Sequence, residues 1–360
     1  MMTKEELKKR VCEAIANRKE DIKALAADIW REPELGYKEV KTAAKVEAAF
    51  TALNVPFKNQ LALTGVKARL KGGKGSKHSI CVIGELDAII CADHPDADPI
   101  SGAAHCCGHN AQIANMMAVT MGLVDSGAME YLAGDVVPFA VPAEEYVEIT
   151  YRNKLIKDGK IKYIGGKPEL ISRGEFDDID MALQIHLTGV KQDRPNGFIE
   201  ISTTTNGFIG KLINYKGKPA HAAAAPHLGV NALNAAMMGL MGVNAIRDTF
   251  REKDYVRFHP IITQGGDLVN VVPSDVKMES YVRASNVPAM VDANERITQA
   301  LRAGAMAVGA EVEVQDLPGY LPLYNNQTLN DLLESNAGTL IGSENVWEGS
   351  AAVLYLESER

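Results

Sequence analysis

Long apolar runs are missing from this 360-residue chain, and no window approaches the length of an uninterrupted membrane span. A membrane-spanning helix is therefore not expected. The first ten residues, Met1 to Arg10, are charged and contain no apolar core, which argues against a secretory leader. There is no excess of basic charge either. The net charge is −8, and Lys and Arg are scattered rather than gathered into a stripe, so nucleic acid is not an expected partner. Cysteine is scarce and odd in number: Cys12, Cys81, Cys91, Cys106 and Cys107. Five clustered cysteines fit a reducing compartment better than a disulfide framework. Internal repeats and low-complexity segments are absent. What remains is the composition of an ordinary folded protein, with 46% hydrophobic and 23% charged residues. A soluble, cytoplasmic protein long enough for two domains is expected.

The chain reads as α/β, then a smaller inserted unit, then a return to α/β. Apolar residues recur at helical spacing from Leu7 to Ile29, behind a Thr3 start signal, until Pro33 and Gly36 break the pattern. A second helix is expected over Val40–Leu53. Ser79–Gly84 is a short apolar run of the kind a buried parallel strand shows. Val136–Val141 is another, with Pro138 suggesting an irregular or edge position. Met181–Ile185 is a third. A helix spans about Asn110–Val124. The charged, glycine-punctuated stretch from Tyr151 to Asp177 reads as a surface excursion. From about Gly197 the texture changes to β-α-β-β-α-β: strands near Phe208–Tyr215, Ile261–Ile262, Val276–Ala284 and Glu311–Val314, helices near Val230–Phe250 and Ala289–Val308. That is the split βαβ plan of a ferredoxin-like domain. A last helix lies near Leu329–Leu340.

The three buried runs deliver groups that bind metals. Glu85 and Asp87 follow the first, Glu144 and Glu145 the second, and His186 the third. His105-Cys106-Cys107-Gly108-His109-Asn110 precedes the Asn110–Val124 helix. Cys107 and His109 could ligate one centre if the chain folds back at Gly108. A Cys-x-His pair alone is a weak sign, paired acids are usually solvated, and a lone histidine is more often a core or capping residue. Cys106 reads as a buried small side chain. Open α/β sheets nonetheless build sites where strands end, and the features support one another jointly.

The strings Gly84-Glu85-Leu86-Asp87-Ala88, His105 to Asn110, Pro142-Ala143-Glu144-Glu145 and Lys218-Pro219-Ala220-His221-Ala222-Ala223 resemble those of the M20 metallopeptidases. They most resemble the amidohydrolase branch, which includes N-acyl-amino-acid and aminobenzoyl-glutamate hydrolases. Gly265-Gly266, Asn270 to Pro273 and Tyr281-Val282-Arg283 extend the match. The resemblance implies a catalytic domain with a central mixed sheet flanked by helices, carrying an inserted ferredoxin-like α+β lid and dimerisation domain. The expected boundaries are 1–195 for the first catalytic part, 196–318 for the lid and 319–360 for the return. The implied activity is hydrolysis of the amide bond of N-acyl or N-aroyl amino acids, or of small peptides, in a homodimer. An aminoacylase or a dipeptidase would share the fold.

By the same resemblance, Cys107 bridges two divalent metals, zinc or manganese, with His109 and His186 on one and Glu145 on the other. Glu144 is the general base and passes a proton from the attacking water to the leaving amine. Asp87 orients a ligand. His221 reaches the substrate carbonyl oxygen. Asn270 and Arg283 hold the substrate carboxylate, although Arg283 could equally be a plain surface strand residue. Asn110 stands where that branch more often has Asp, and Glu85 where many relatives have Asp. The family's last metal ligand is a C-terminal histidine, and no histidine follows His259 here. A truncated or frame-shifted C-terminus, an incomplete second metal site and a catalytically impaired or structural role are therefore the alternative expectation.

Overall fold

The computed structural model describes residues 2–188 and 198–349. They fall into two compact units, Met1–Thr188 and Gly189–Arg360. The ending from Ser350 to Arg360, which bears with the missing histidine on the truncation expectation, lies outside the described residues.

The first unit contains α1 (Lys4–Asn17), α2 (Lys19–Trp30), α3 (Val40–Ala52), β1 (Phe57–Leu61), β2 (Gly65–Ala68), β3 (Ser79–Glu85), β4 (Ile89–Ile90), β5 (Ala103–Ala104), α4 (His109–Ser126), β6 (Asp135–Val141), α5 (Ile149–Lys157), α6 (Gly166–Ser172) and β7 (Met181–Gln184). Its sheet runs β1-β2-β6-β3-β7. β6, β3 and β7 are parallel neighbours, while β2 is antiparallel to β6 and β1. The sheet is mixed, as expected. Alternation sorts its side chains. Ile80, Val82, Val136 and Ala140 join Phe50, Ile113 and Met117 on one face. Cys81, Ile83, Val137, Phe139 and Val141 join Leu155, Ile161 and Leu170 on the other. Both faces are covered, which is why these strands read as nearly continuous apolar runs.

Four local expectations change. The helical run from Leu7 to Ile29 is two helices, because the backbone leaves helical geometry at Arg18 (φ −92°, ψ 6°). The Arg18 guanidinium there pairs with Asp21 and Asp125, and both halves still pack on α4, so the spacing survives the break. Pro138 lies in an inner strand, not at an edge. Val136 exchanges both backbone bonds with Leu70 on the β2 side. Two residues on, Pro138 faces the same way, and its missing N–H falls where the β2 ladder is interrupted. Met181–Gln184 is only half-buried and borders the sheet among the described residues.

The stretch from Tyr151 to Asp177 is not a surface excursion. It packs Leu155, Ile161 and Leu170 into the core, and several of its charges are internal. Arg152 is fully buried and donates from Nη1 to the carbonyls of Ala143 and Ile164. The buried Glu169 accepts the N–H groups of Lys162 and Tyr163 and pairs with Arg173.

The second unit contains β8 (Ile199–Ser202), β9 (Thr204–Thr205), β10 (Gly207–Lys216), α7 (Ala232–Ile246), β11 (Arg257–Phe258), β12 (Ile261–Gln264), β13 (Asp275–Ala284), α8 (Val287–Val308), β14 (Glu311–Pro318), β15 (Leu323–Tyr324), α9 (Gln327–Ile341) and β16 (Val346–Gly349). An antiparallel sheet in the order β11-β13-β10-β14, with β12 also on β13, carries the β-α-β-β-α-β plan and one added short strand, β11. Ile213, Tyr215, Val276, Met278 and Val282 pack against Ala235, Ala236, Ile297 and Leu301 of the two helices. Those helices approach so closely that a Cβ on Gly304 would collide with the backbone of Gly239. β8 pairs with β16 in parallel, and β9 pairs with β15 antiparallel.

A buried acid in the first unit sets a pH dependence. Glu39 is 0% exposed, accepts the Thr64 hydroxyl at 2.7 Å and the Ala143 N–H at 2.7 Å. Burial, followed by the nearby charge of Asp87, pushes its carboxyl up from 4.5 to about 7. A raised folded pKa contributes stability below the unfolded value, and that stability is lost as pH rises through the folded value. The metal-free protein should therefore lose stability on the order of 3 kcal/mol between about pH 4.5 and about pH 7 through this group. Urea unfolding of wild type and Glu39→Gln, measured on both sides of that window, checks it. An equally steep loss in both proteins would remove Glu39 as the cause.

Candidate active site

The parallel strands β6, β3 and β7 end on one edge of the sheet, and the chain returns to that edge at the start of α4. β3 runs into Asp87, β6 into Glu144 and Glu145, and β7 into His186, while Cys107 and His109 flank the helix start. Gly108 makes the turn between the last two, with φ +81°. A Cβ there would lie 2.6 Å from the Leu187 side chain, so the turn needs glycine for both its backbone and its space.

His109 is the centre of the cluster and is fully buried. Its Nδ1 lies 2.8 Å from the Asp87 carbonyl oxygen, which can only accept, so Nδ1 carries the proton. Burial would lower the imidazole pKa, but the charge of Glu85 and the bond to Asp87 outweigh that and raise it well above its ordinary value, so Nε2 presents a lone pair once its proton is displaced. Nε2 lies 3.0 Å from Glu85 Oε2 and 3.9 Å from Glu144 Oε2, yet it has no aligned hydrogen-bond partner among the described residues. His186 is oriented likewise. Its Nδ1 donates to the Leu187 carbonyl at 2.6 Å, leaving Nε2 facing Cys107 Sγ at 3.2 Å.

Two donor groups result, and both use His109: Cys107, His109 and His186, and Glu85, His109 and Glu144. Glu145 belongs to neither, but its carboxyl lies against the Cys107 thiol. Asp87 accepts the Glu145 N–H at 2.8 Å as well as flanking His109, so it ties two strand ends together. A thiol and two imidazoles converge, the thiol proton facing His186 Nε2, and such a set suits a divalent ion that takes that proton's place.

Electrostatics agree with that reading. Burial pushes the Cys107 thiol up to about 12, so an ion binding there must displace a proton. Burial, then the charge of Glu85, raises the Glu144 carboxyl to about 8. Burial also raises Glu145. Glu85 behaves oppositely. Burial would raise it, but Lys167 and His109 outweigh that and hold it well below the usual carboxylate range.

Glu85 was expected among the candidate donors at the end of β3, but Lys167, Gln112 and Gln184 were not anticipated as site residues. Lys167 donates to Glu85 Oε1, as does Gln184 at 2.6 Å, and Gln112 donates to Glu85 Oε2 at 2.8 Å. The available signal was the Gly165-Gly166 pair before Lys167, which marks a close backbone approach. Asn110 turns away from His109 and donates to Ala26 in α2. His105 is a buried core histidine, lowered to about 4 by burial.

The remaining expected residues lie in the second unit. His221 is exposed, and its Nδ1 accepts the N–H groups of Ala223 and Ala224, which leaves Nε2–H as a donor. The carbonyl of Asn270 accepts the Ala222 N–H, tying the Asn270 loop beside His221. Arg283 sits on β13 with its guanidinium over the rings of Phe208 and Tyr281.

Residues 203–307 match the peptidase dimerisation domain of the M20 family. The chain resembles the M20 metallopeptidases over most of its length. It is 28% identical over 355 residues to the Xaa-Arg dipeptidase of Mus musculus, covering 95% of this chain and 73% of that protein. It is 27% identical over 324 residues to a p-aminobenzoyl-glutamate hydrolase chain of Escherichia coli, covering 86% of this chain and 60% of that protein. Among solved structures, a dinuclear metal-binding M20 peptidase from Bacillus subtilis superposes with a TM-score of 0.62 at 21% identity, covering 94% of this chain and 83% of that one. An aminobenzoyl-glutamate utilization protein from Klebsiella pneumoniae superposes with a TM-score of 0.68 at 19% identity, covering 94% and 86%. By this resemblance to M20 peptidases and amidohydrolases, the protein is a hydrolytic enzyme.

Since the Asp87 carboxylate flanks His109 Nδ1 at 3.3 Å and accepts the Glu145 N–H, Asp87→Asn should weaken divalent-metal binding about 10- to 100-fold. Competition titration with a chromogenic chelator measures this, and unchanged affinity in a folded variant would exclude the orienting role.

Proposed function

We propose that this protein is a metal-dependent hydrolase of the amide bond in N-acyl or N-aroyl amino acids, or in small peptides. The observation that carries the reading is the meeting of Cys107, His109 and His186 with a recessed Glu144 on one sheet edge. Cys107, His109 and His186 would hold a metal, with Glu145 beside the thiol. A divalent ion bound there supplies Lewis-acid polarisation of the carbonyl and a lower pKa for water. The soft donors favour zinc.

Glu144 would take the proton of the attacking water and deliver it to the leaving nitrogen. Its carboxyl is suited to both steps, because a raised pKa makes it a competent base that is also readily protonated near neutrality. His221, a fixed Nε2–H donor, would bind the oxygen on which negative charge develops. Asn270 and Arg283 would hold the substrate carboxylate, for which a guanidinium fork is well shaped. The matched dimerisation domain supports a homodimer formed through the second unit. The substrates named for the relatives, an Xaa-Arg dipeptide and p-aminobenzoyl-glutamate, head the panel to be screened.

Turnover of a substrate from that panel should be lost on chelation and restored by metal. Glu144→Gln should lower kcat about 10²- to 10⁴-fold while the bound metal per chain stays constant. Chelator-resistant turnover, or a Glu144→Gln variant as active as wild type, would overturn the assignment.

A further inference from the structure

The two donor groups are not equivalent, and Lys167 separates them. Both draw on the same atom, His109 Nε2, because Nδ1 is committed to Asp87. One lone pair serves one ion. The Glu85 half already has a cation. Glu85 is 1% exposed and receives three N–H donors from three elements: Lys167 from α6, Gln184 from β7 and Gln112 from α4. Gln184 Nε2 also lies 3.4 Å from Gln112 Oε1, so the amides brace each other. Among the described residues, the Cys107 half receives no comparable donors. Its contacts are the thiol, the two imidazole nitrogens and the Glu145 carboxyl.

Lys167 is held there by the backbone. It is the second residue of α6, and the Gly166 N–H donates to the Ala143 carbonyl at 3.0 Å. A Cβ on Gly166 would collide with the Pro142 carbonyl, so the first turn of α6 is pressed against the segment that delivers Glu144. The Lys167 stem therefore starts from a fixed turn that sets its ammonium within reach of Glu85.

We propose that Lys167 is the resident cation of the carboxylate half of the site, so that the Glu85–His109–Glu144 group excludes metal and His109 is reserved for the ion beside Cys107. A divalent ion entering the Glu85 half would meet the ammonium at short range in a water-poor setting, and would have to strip three donors from Glu85. The proposal deepens the hydrolase reading only in where an ion sits, and its test reads metal content, not turnover.

The full-length chain, stripped of metal and then loaded with Co(II), is desalted and assayed for bound metal and visible absorption. Cys107→Ser should lose the ion that depends on the thiol and bind nothing in the Glu85 half. Adding Lys167→Met to Cys107→Ser should restore binding of about one ion per chain, with an oxygen-rich spectrum, and adding Glu85→Gln should remove it again. In the otherwise unaltered chain, Glu85→Gln should leave metal content unchanged, which tests the idea even if the Lys167→Met chain fails to fold. A Glu85-dependent ion in Cys107→Ser, or an ion lost from the single Glu85→Gln variant, would overturn the proposal. So would a folded Lys167→Met, Cys107→Ser double variant that binds nothing. A wild-type chain that binds no ion at all would instead defeat the hydrolase reading, while the gain on removing Lys167 is still measured.

Discussion

The backbone of Ala143 is left-handed, with φ +51°, and the first unit's site depends on its staying so. That conformation costs a non-glycine residue roughly 1–2 kcal/mol. Its N–H is taken by the buried Glu39 carboxyl at 2.7 Å, and its carbonyl receives Gly166 N–H at 3.0 Å and Arg152 Nη1 at 3.4 Å. An ordinary hydrogen bond contributes about 0.5–1.5 kcal/mol net and one to a charged group about 1.5–3, so the three together outweigh the strain. The three partners come from the loop before α3, from α5 and from α6. With Ala143 held, the next two residues have little choice. Glu144 is aimed toward His109, and the Glu145 N–H meets Asp87. Asp87 in turn sets the His109 ring. A chain of backbone contacts thus converts one strained residue into the orientation of the whole cluster.

The charges follow from that geometry. Glu39, Glu85, Asp87, Glu144 and Glu145 converge on one edge of the sheet, most of them out of water, against Lys167, Arg152 and the His109 ring. The acids outnumber the fixed cations, and burial lifts the carboxyls of Glu39, Glu144 and Glu145. Only Glu85, directly on Lys167, is held low. A site with this imbalance gains from a cation, and the thiol and imidazole half is where donors stand ready without one.

Much of this was legible in the residues. Buried parallel strands announce themselves as short apolar runs, and the ends of β3, β6 and β7 that carry the candidate donors could be located from those runs alone. Pro138 reads as marking an irregular or edge position, and it is the irregular one, in an inner strand with an interrupted ladder. In an inner strand it needs only a neighbour whose ladder is interrupted on the proline's side, and pairing is not visible in one sequence. The stretch from Tyr151 to Asp177 misled for a related reason. Arg152, Lys167 and Glu169 are charged, and charge suggests solvent, yet Arg152 donates to Ala143 and Ile164, Lys167 to Glu85, and Glu169 accepts from Lys162 and Tyr163, all more than five residues away in the chain. Lys167 pairs with Glu85, 82 positions earlier. Such partnerships carry no local period.

The difference between the halves of the cluster also bears on which metal the site would select. Carboxylate oxygens suit harder ions such as manganese and magnesium, while thiolate and imidazole suit zinc. If both halves were open, the pooled donor set would discriminate poorly, since it offers each class of ion a partner. Lys167 removes the carboxylate oxygens of Glu85 from that pool, and Asp87 fixes the one His109 lone pair that both halves could use. Selection then rests on the soft donors. The same arrangement leaves Glu144 beside the ion's position without making it a ligand, and a carboxylate in that place is free to carry a proton.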